Sequence, residues 1–259
     1  MRPSSLYQPG GEPNMNQDIK SKAEVIRDDV YRPLHLPRSK TPTGEDYSER
    51  KLTRAQKKLL YPTPEDLVRY KEFLRQPSSG LIRLLPRGKY ENFIVGSGDH
   101  TRTRQDNYLP IPGGGAFYSF TQRSHVLGQR SDILLKHGLL RSGFVGEALG
   151  LMVMLGDIPL DSVAVNSPGV DYLATFVPPT SLKDADDQHK RNSEGFNAGR
   201  YLYMSALPVK PDTTYALRSV AYEIDDILIV FRVIRQDDDG SVVLLWKRIQ
   251  KFQVRKLKE

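Results

Sequence analysis

The residues best suited to chemistry lie between positions 96 and 106, where Gly96, Ser97, Gly98, Asp99 and His100 run together and Arg102, Arg104 and Asp106 follow. A hydroxyl, a carboxylate and an imidazole are the groups of a hydrolase. His100 would serve as base and Ser97 as nucleophile, while Arg102 and Arg104 held an anionic substrate. With Asp99, the residues His125 and Asp132 from neighbouring strands complete the candidate catalytic set. Against this, adjacent side chains seldom aim at one another, and no G-x-S-x-G elbow presents the serine. An exposed polar loop is the competing expectation.

The glycines Gly113, Gly114 and Gly115 are the second candidate, because bare backbone amides can approach an anion closely. Their context argues otherwise. A nucleotide loop follows a strand and opens a helix, whereas these residues precede the strand-like AFYSFT, and neither G-x-G-x-x-G nor G-x-x-x-x-G-K-[ST] occurs. A flexible glycine entry to that strand is the favoured reading.

Metal and redox chemistry find little support. The histidines at 35, 100, 125, 137 and 189 are dispersed, without H-E-x-x-H spacing, and cysteine is absent, which excludes thiolate ligands, disulfides and thiol nucleophiles. Asp237, Asp238 and Asp239 before Gly240 lack the alternating ligand spacing of a calcium loop and read as a turn. No cofactor and no metal are expected.

A nucleic-acid surface would combine Arg102, Arg104, Arg123 and Arg130 with the aromatics Tyr108, Phe117, Tyr118 and Phe120. Asp99, Asp106 and Asp132 dilute that charge, and alternating aromatics are more often the core side of a strand. The net charge of +7 is spread along the chain, with one local excess near the C-terminus at Lys247, Arg248, Lys251, Arg255, Lys256 and Lys258. Such a cluster is more often a solvated edge than an anion site, and nucleic acid is an unfavoured partner.

These residues need a scaffold, and 227–251 (ILIVFRVIRQ, DDDG, SVVLLWKRIQK) supplies its strongest signal, two long β-prone runs joined by an acidic turn ending in glycine. This predicts a buried hairpin. Further strands are predicted at 81–85, 116–121, 132–135, 139–144, 151–155, 172–177, 201–206 and 215–223. Thr53 caps a helix running to Leu60, and Thr63, Pro64, Glu65 and Asp66 open a second whose face carries Leu67, Tyr70 and Leu74, with Phe73 beside them, until Pro77. Segment 181–197 begins with the cap-like Ser181 and reads as an exposed helix or excursion on the rim. The expected fold class is α+β, mainly antiparallel β: a sandwich or partly open barrel with one or two N-terminal helices packed on it.

The apolar fraction of 38% is low for the length of 259 residues, and the shortfall is concentrated in residues 1–52, rich in proline and charge. The division expected is a disordered polar leader over 1–52 and a single β-rich domain over 53–259. No apolar run reaches the roughly 18 residues of a membrane-spanning helix. The first residues, MRPSSLYQPGGEPNMN, lack the apolar centre of a secretory signal, so a soluble cytoplasmic protein is expected, with export in prospect only if the true start lies upstream of Met1.

Four stretches, PEDLVRYKEFLRQPSSGLIRLLPR, GGGAFYSF, LGDIPLDSV and VIRQDDDGSVVLLWK, together resemble a family of bacterial hypothetical proteins of unassigned activity, over roughly residues 52–252. The resemblance implies no catalytic residue; it suggests relatives that begin with an export signal, which this chain does not show. On these grounds a non-catalytic binding module is expected, meeting a partner protein or anionic ligand through its sheet edges and the 96–110 loop. A hydrolase acting on an anionic substrate around Asp99 and His100 is the first alternative, and a weak nucleic-acid binder the second.

Overall fold

The computed structural model describes residues 52–90, 109, 111–144 and 147–258. The expected leader over 1–52 lies almost wholly outside them.

Two capping boxes open the described chain. Thr53 and Gln56 exchange side-chain and backbone hydrogen bonds ahead of helix α1, Arg54–Leu60, and Thr63 and Asp66 do the same ahead of α2, Pro64–Arg69. Tyr70, at φ −103° and ψ 15°, then interrupts the helix, and α3 resumes over Lys71–Leu74. That interruption corrects the expected face. Leu67 turns outward, 46% exposed, and Phe73 is the buried anchor, with Tyr70 and Leu74 partly covered beside it.

Eleven strands follow among the described residues: β1 Ser79–Leu84, β2 Phe117–Tyr118, β3 Ile133–Lys136, β4 Leu139–Arg141, β5 Ala148–Gly156, β6 Phe196–Ala198, β7 Tyr201–Met204, β8 Ala206–Pro208, β9 Thr213–Ala221, β10 Asp225–Gln236 and β11 Val242–Lys251. They form a seven-stranded sheet, β1-β11-β10-β9-β5-β7-β6, and a four-stranded sheet, β2-β3-β4-β8, antiparallel throughout. The chain crosses between sheets at Ser205, which separates β7 from β8. The sheets stack as an open α+β sandwich, as expected, rather than closing into a barrel.

Alternation along the strands builds two cores. Odd residues of β10, Ile227, Ile229, Phe231 and Val233, face the small sheet and meet Ile133, Leu135, Leu140 and Leu207, with Trp246 of β11 filling one end. Leu228 and Val230 point the other way, onto Phe73, Val170 and Leu173. The predicted 227–251 hairpin is thus the spine shared by both cores. At its tip Gly240 takes φ +84°, where a side chain would be strained. A second tight hairpin joins β3 to β4 through His137 and Gly138, both at positive φ, as a two-residue loop requires.

One predicted strand is a helix. Segment 172–177 lies largely in α4, Val170–Thr175, which follows a left-handed Gly169 and ends before Pro178. Val170 and Leu173, three apart, are fully buried, and a run this short has too few apolar positions for its period to be read. The expected helix after Ser181 forms as α5, Leu182–Glu194, with Ser181 capping Asp184 N–H at 3.1 Å. It is less exposed than expected. Ala185, His189 and Asn192 are buried, and Asn192 Nδ2 donates to Gly150 O of β5 at 3.1 Å, where β5 extends beyond its pairing with β7. Burial also holds His189 below the usual imidazole range, with Asp186 opposing.

Candidate functional site

Of the polar residues singled out for chemistry, Ser97, Asp99, His100, Arg102 and Arg104 lie outside the described residues. What is described is the neck on which their segment, 91–108, is mounted. Tyr90 and Leu109 are buried among Leu52, Leu60, Leu85 and Ile111, and Leu109 N–H donates to Tyr90 O at 3.0 Å. From the other side, Tyr90 Oη donates to Asp239 Oδ2 at 2.5 Å and Lys89 Nζ to Asp239 O at 2.7 Å. Burial pushes the Tyr90 hydroxyl up to about 12, and the Asp239 hydrogen bond and charge add to it.

Asp239 belongs to the DDDG turn, which is more than a connection. Arg83 of β1 donates to Leu59 O at 2.9 Å and to Ser241 Oγ at 2.7 Å, and its guanidinium lies 2.9 Å from Asp237 Oδ2. Arg235 bridges Asp237 and Asp66, each at 2.6 Å. The hairpin tip is therefore tied to β1, to the end of α1 and to α2, and through Tyr90 it braces the neck.

Gly113, Gly114 and Gly115 form a tight turn, each at positive φ. A Cβ on Gly113 would stand 2.2 Å from the Phe117 ring, and one on Gly115 2.6 Å from Leu60, while Gly115 O accepts Leu85 N–H at 3.1 Å. These glycines are required by close packing. An anion held there would have to displace Phe117 or Leu60.

His125 and Asp132 are both buried and both border β2, yet they take different partners. The His125 ring meets Tyr118 edge-on at 5.3 Å, and Nδ1 lies 3.0 Å from Phe117 O. Asp132 accepts Phe120 N–H and Ser219 Oγ, each at 2.7 Å. Burial pushes its carboxyl up to about 6; hydrogen bonds from Ser219, Phe120 and Ser119 oppose this, and the Asp225 charge adds to it. Asp132 orients the Ser219 hydroxyl, but within the interface between the two sheets.

Of the aromatics of the nucleic-acid alternative, Tyr108 lies outside the described residues, and Phe117, Tyr118 and Phe120 face inward, each at most 6% exposed. Several of the C-terminal cations take separate partners of their own. Arg248 donates to Ser78 Oγ, Lys247 to Asp161 O and Lys251 pairs with Asp225, whereas Lys258 lies far along the tail, its backbone bridged to Thr180 and Leu182. Among the described residues no cluster of three or more acidic or histidine side chains is placed to hold a metal ion, and no helix is long and apolar enough to cross a membrane.

One constellation was not anticipated. Arg218, in the middle of β9, forms a fork with Asp226 of β10, Nε to Oδ1 at 2.5 Å and Nη2 to Oδ2 at 2.9 Å, with both side chains at most 2% exposed. Nη1 donates to Leu173 O of α4, and Phe252 covers the guanidinium. Burial pushes Asp226 up and Arg218 down, and their mutual hydrogen bonds oppose both shifts. The available signal was a lone arginine in the apolar run TTYALRSVA with two carboxylates a short turn beyond. Comparisons of the chain with protein-family models, with curated proteins and with solved structures find no match.

Proposed function

We propose that the chain is a non-catalytic binding module that presents segment 91–108, with Ser97, Asp99, His100, Arg102 and Arg104, to a partner protein or an anionic ligand. The observation that carries this is the braced neck. Tyr90 and Leu109 are hydrogen-bonded and buried, and the Asp239 turn ties them to the hairpin shared by both cores. A recognition segment works best when its ends are fixed by a rigid scaffold, because less order is then lost on binding. His125 and Asp132, the partners a hydrolase reading would recruit, are committed to Phe117, Tyr118 and Ser219.

The test replaces residues 92–107 with a glycine-serine linker and compares it with the intact chain. Random peptides displayed on phage, and inorganic phosphate titrated by calorimetry, serve as probes. Binding by the intact chain alone, with scaffold melting unchanged within a few degrees, is the expected result. Equal binding by both chains would place recognition elsewhere. Hydrolysis of ester or phosphoester substrates that disappears in His100→Ala would replace the binding module with a hydrolase.

A further inference from the structure

At one end of the sandwich the two sheets are joined by polar links through an otherwise apolar interface. Asp132, just before β3, accepts Ser219 Oγ of β9 and Phe120 N–H, and Thr121, beyond β2, donates its hydroxyl to Asp225 at the start of β10. Asp132, Ser219 and Asp225 are at most 7% exposed. Around Asp132 the small-sheet side presents Ser119 and the Phe120 amide, with His125 held on Tyr118 nearby. From the large sheet come Ser219 of β9, Asp225 of β10 and Lys251 of β11, whose Nζ lies 3.4 Å from Asp225 Oδ1. Arg218 and Asp226 occupy the opposite face of β9 and β10, under α4.

The hydrogen bonds to Asp132 come from neutral donors, and the charge acting on it here, that of Asp225, has its own sign. Lys251 compensates Asp225. We propose that Asp132 is a proton-operated clasp, which takes up a proton as the medium turns from neutral to mildly acid and so tightens the docking of the small sheet on the large one. The sign follows from linkage. Docked, the carboxyl lies at about 6; released into water it returns to 3.8. The docked form therefore binds more protons between those values, its advantage is full below 3.8, and it is lost as pH rises through about 6. Between pH 7 and pH 4.5 the docked-to-released ratio rises by roughly tenfold or more.

Hydrogen exchange and carboxyl-carbon NMR on the full chain test this directly. The amides of Ser119, Phe120 and Asp132, all bonded within this region, should gain roughly tenfold or more protection from pH 7 to 4.5 after correction for intrinsic exchange. Asp132→Asn should abolish that dependence, because the amide carries no titrating charge. Should Asp132→Asn fail to fold, Ser219→Ala provides the second variant. It removes a donor that favours the ionised form, and so should move the protection midpoint to higher pH. Equal pH dependence in wild type and Asp132→Asn, an Asp132 carbon titrating below pH 4.5, or an unmoved midpoint in Ser219→Ala would each overturn the clasp.

Discussion

The two ends of β10 both gather aspartates, and the aspartates behave in opposite ways. At the turn end, burial pushes Asp66 and Asp239 up, but hydrogen bonds outweigh it and leave both carboxyls below their usual range. Arg235 and the Thr63 amide act on Asp66, and the hydroxyls of Ser241 and Tyr90 act on Asp239. At the other end burial wins, and Asp132 and Asp226 are raised. Strand and residue type are shared, so the difference lies in depth and in the donors each carboxyl meets. At the tip the Asp237 and Asp239 side chains remain 23% exposed, while Asp66, only 10% exposed, is held by the Arg235 guanidinium. Beneath Phe252 and between the sheets, even the bidentate fork from Arg218 does not cancel the cost of desolvation.

Removing one member of the deep pair gives the largest expected effect. Arg218→Met strands the Asp226 carboxylate at 1% exposure and should cost about 3–5 kcal/mol in urea unfolding. The double variant Arg218→Met/Asp226→Leu should recover most of that, because no charge is left buried. A single variant losing under about 1 kcal/mol would erase the contrast between the two ends.

Next in size is the pH response, whose sign should differ between the ends. Asp132, raised in the folded state, contributes stability that is full below 3.8 and lost as pH rises through about 6, about 3 kcal/mol in all. Asp239, depressed in the folded state, contributes stability present above its unfolded value and lost as pH falls through its folded one. Unfolding free energies measured from pH 3 to 8 should therefore change in opposite directions in Asp132→Asn and Asp239→Asn. Parallel profiles would show that depth does not set the sign.

The smallest effect belongs to the tip. Arg235 is 36% exposed, and Arg235→Gln should cost about 1 kcal/mol and less in 1 M salt. A loss as large as that of Arg218→Met would mean that the tip is sealed from solvent as fully as the far end.

The elements that could be anticipated share a local cause. Thr53, Thr63 and Ser181 cap helices through partners three residues away, and the 227–251 hairpin follows from β-prone runs flanking Gly240. Segment 172–177 has only four or five apolar residues, which fit a strand period as well as a helical one, and it lies largely in a helix. Leu67 faces outward, against its helical period, because the break at Tyr70 rotates the following turn. Within the candidate site, the glycines could be seen but their packing could not, since Phe117 and Leu60 reach them only in the folded chain.

By itself the sequence determined what depends on neighbours: helix starts, tight turns, the hairpin, and the mainly antiparallel α+β class that follows from them. Tertiary structure alone decided which charges meet and how deeply they lie. Asp132 finds Ser219 across 87 residues, and Arg235 finds Asp66 across 169. Whether a carboxylate is raised or lowered depends on its exposure and donors, which exist only once distant strands have packed.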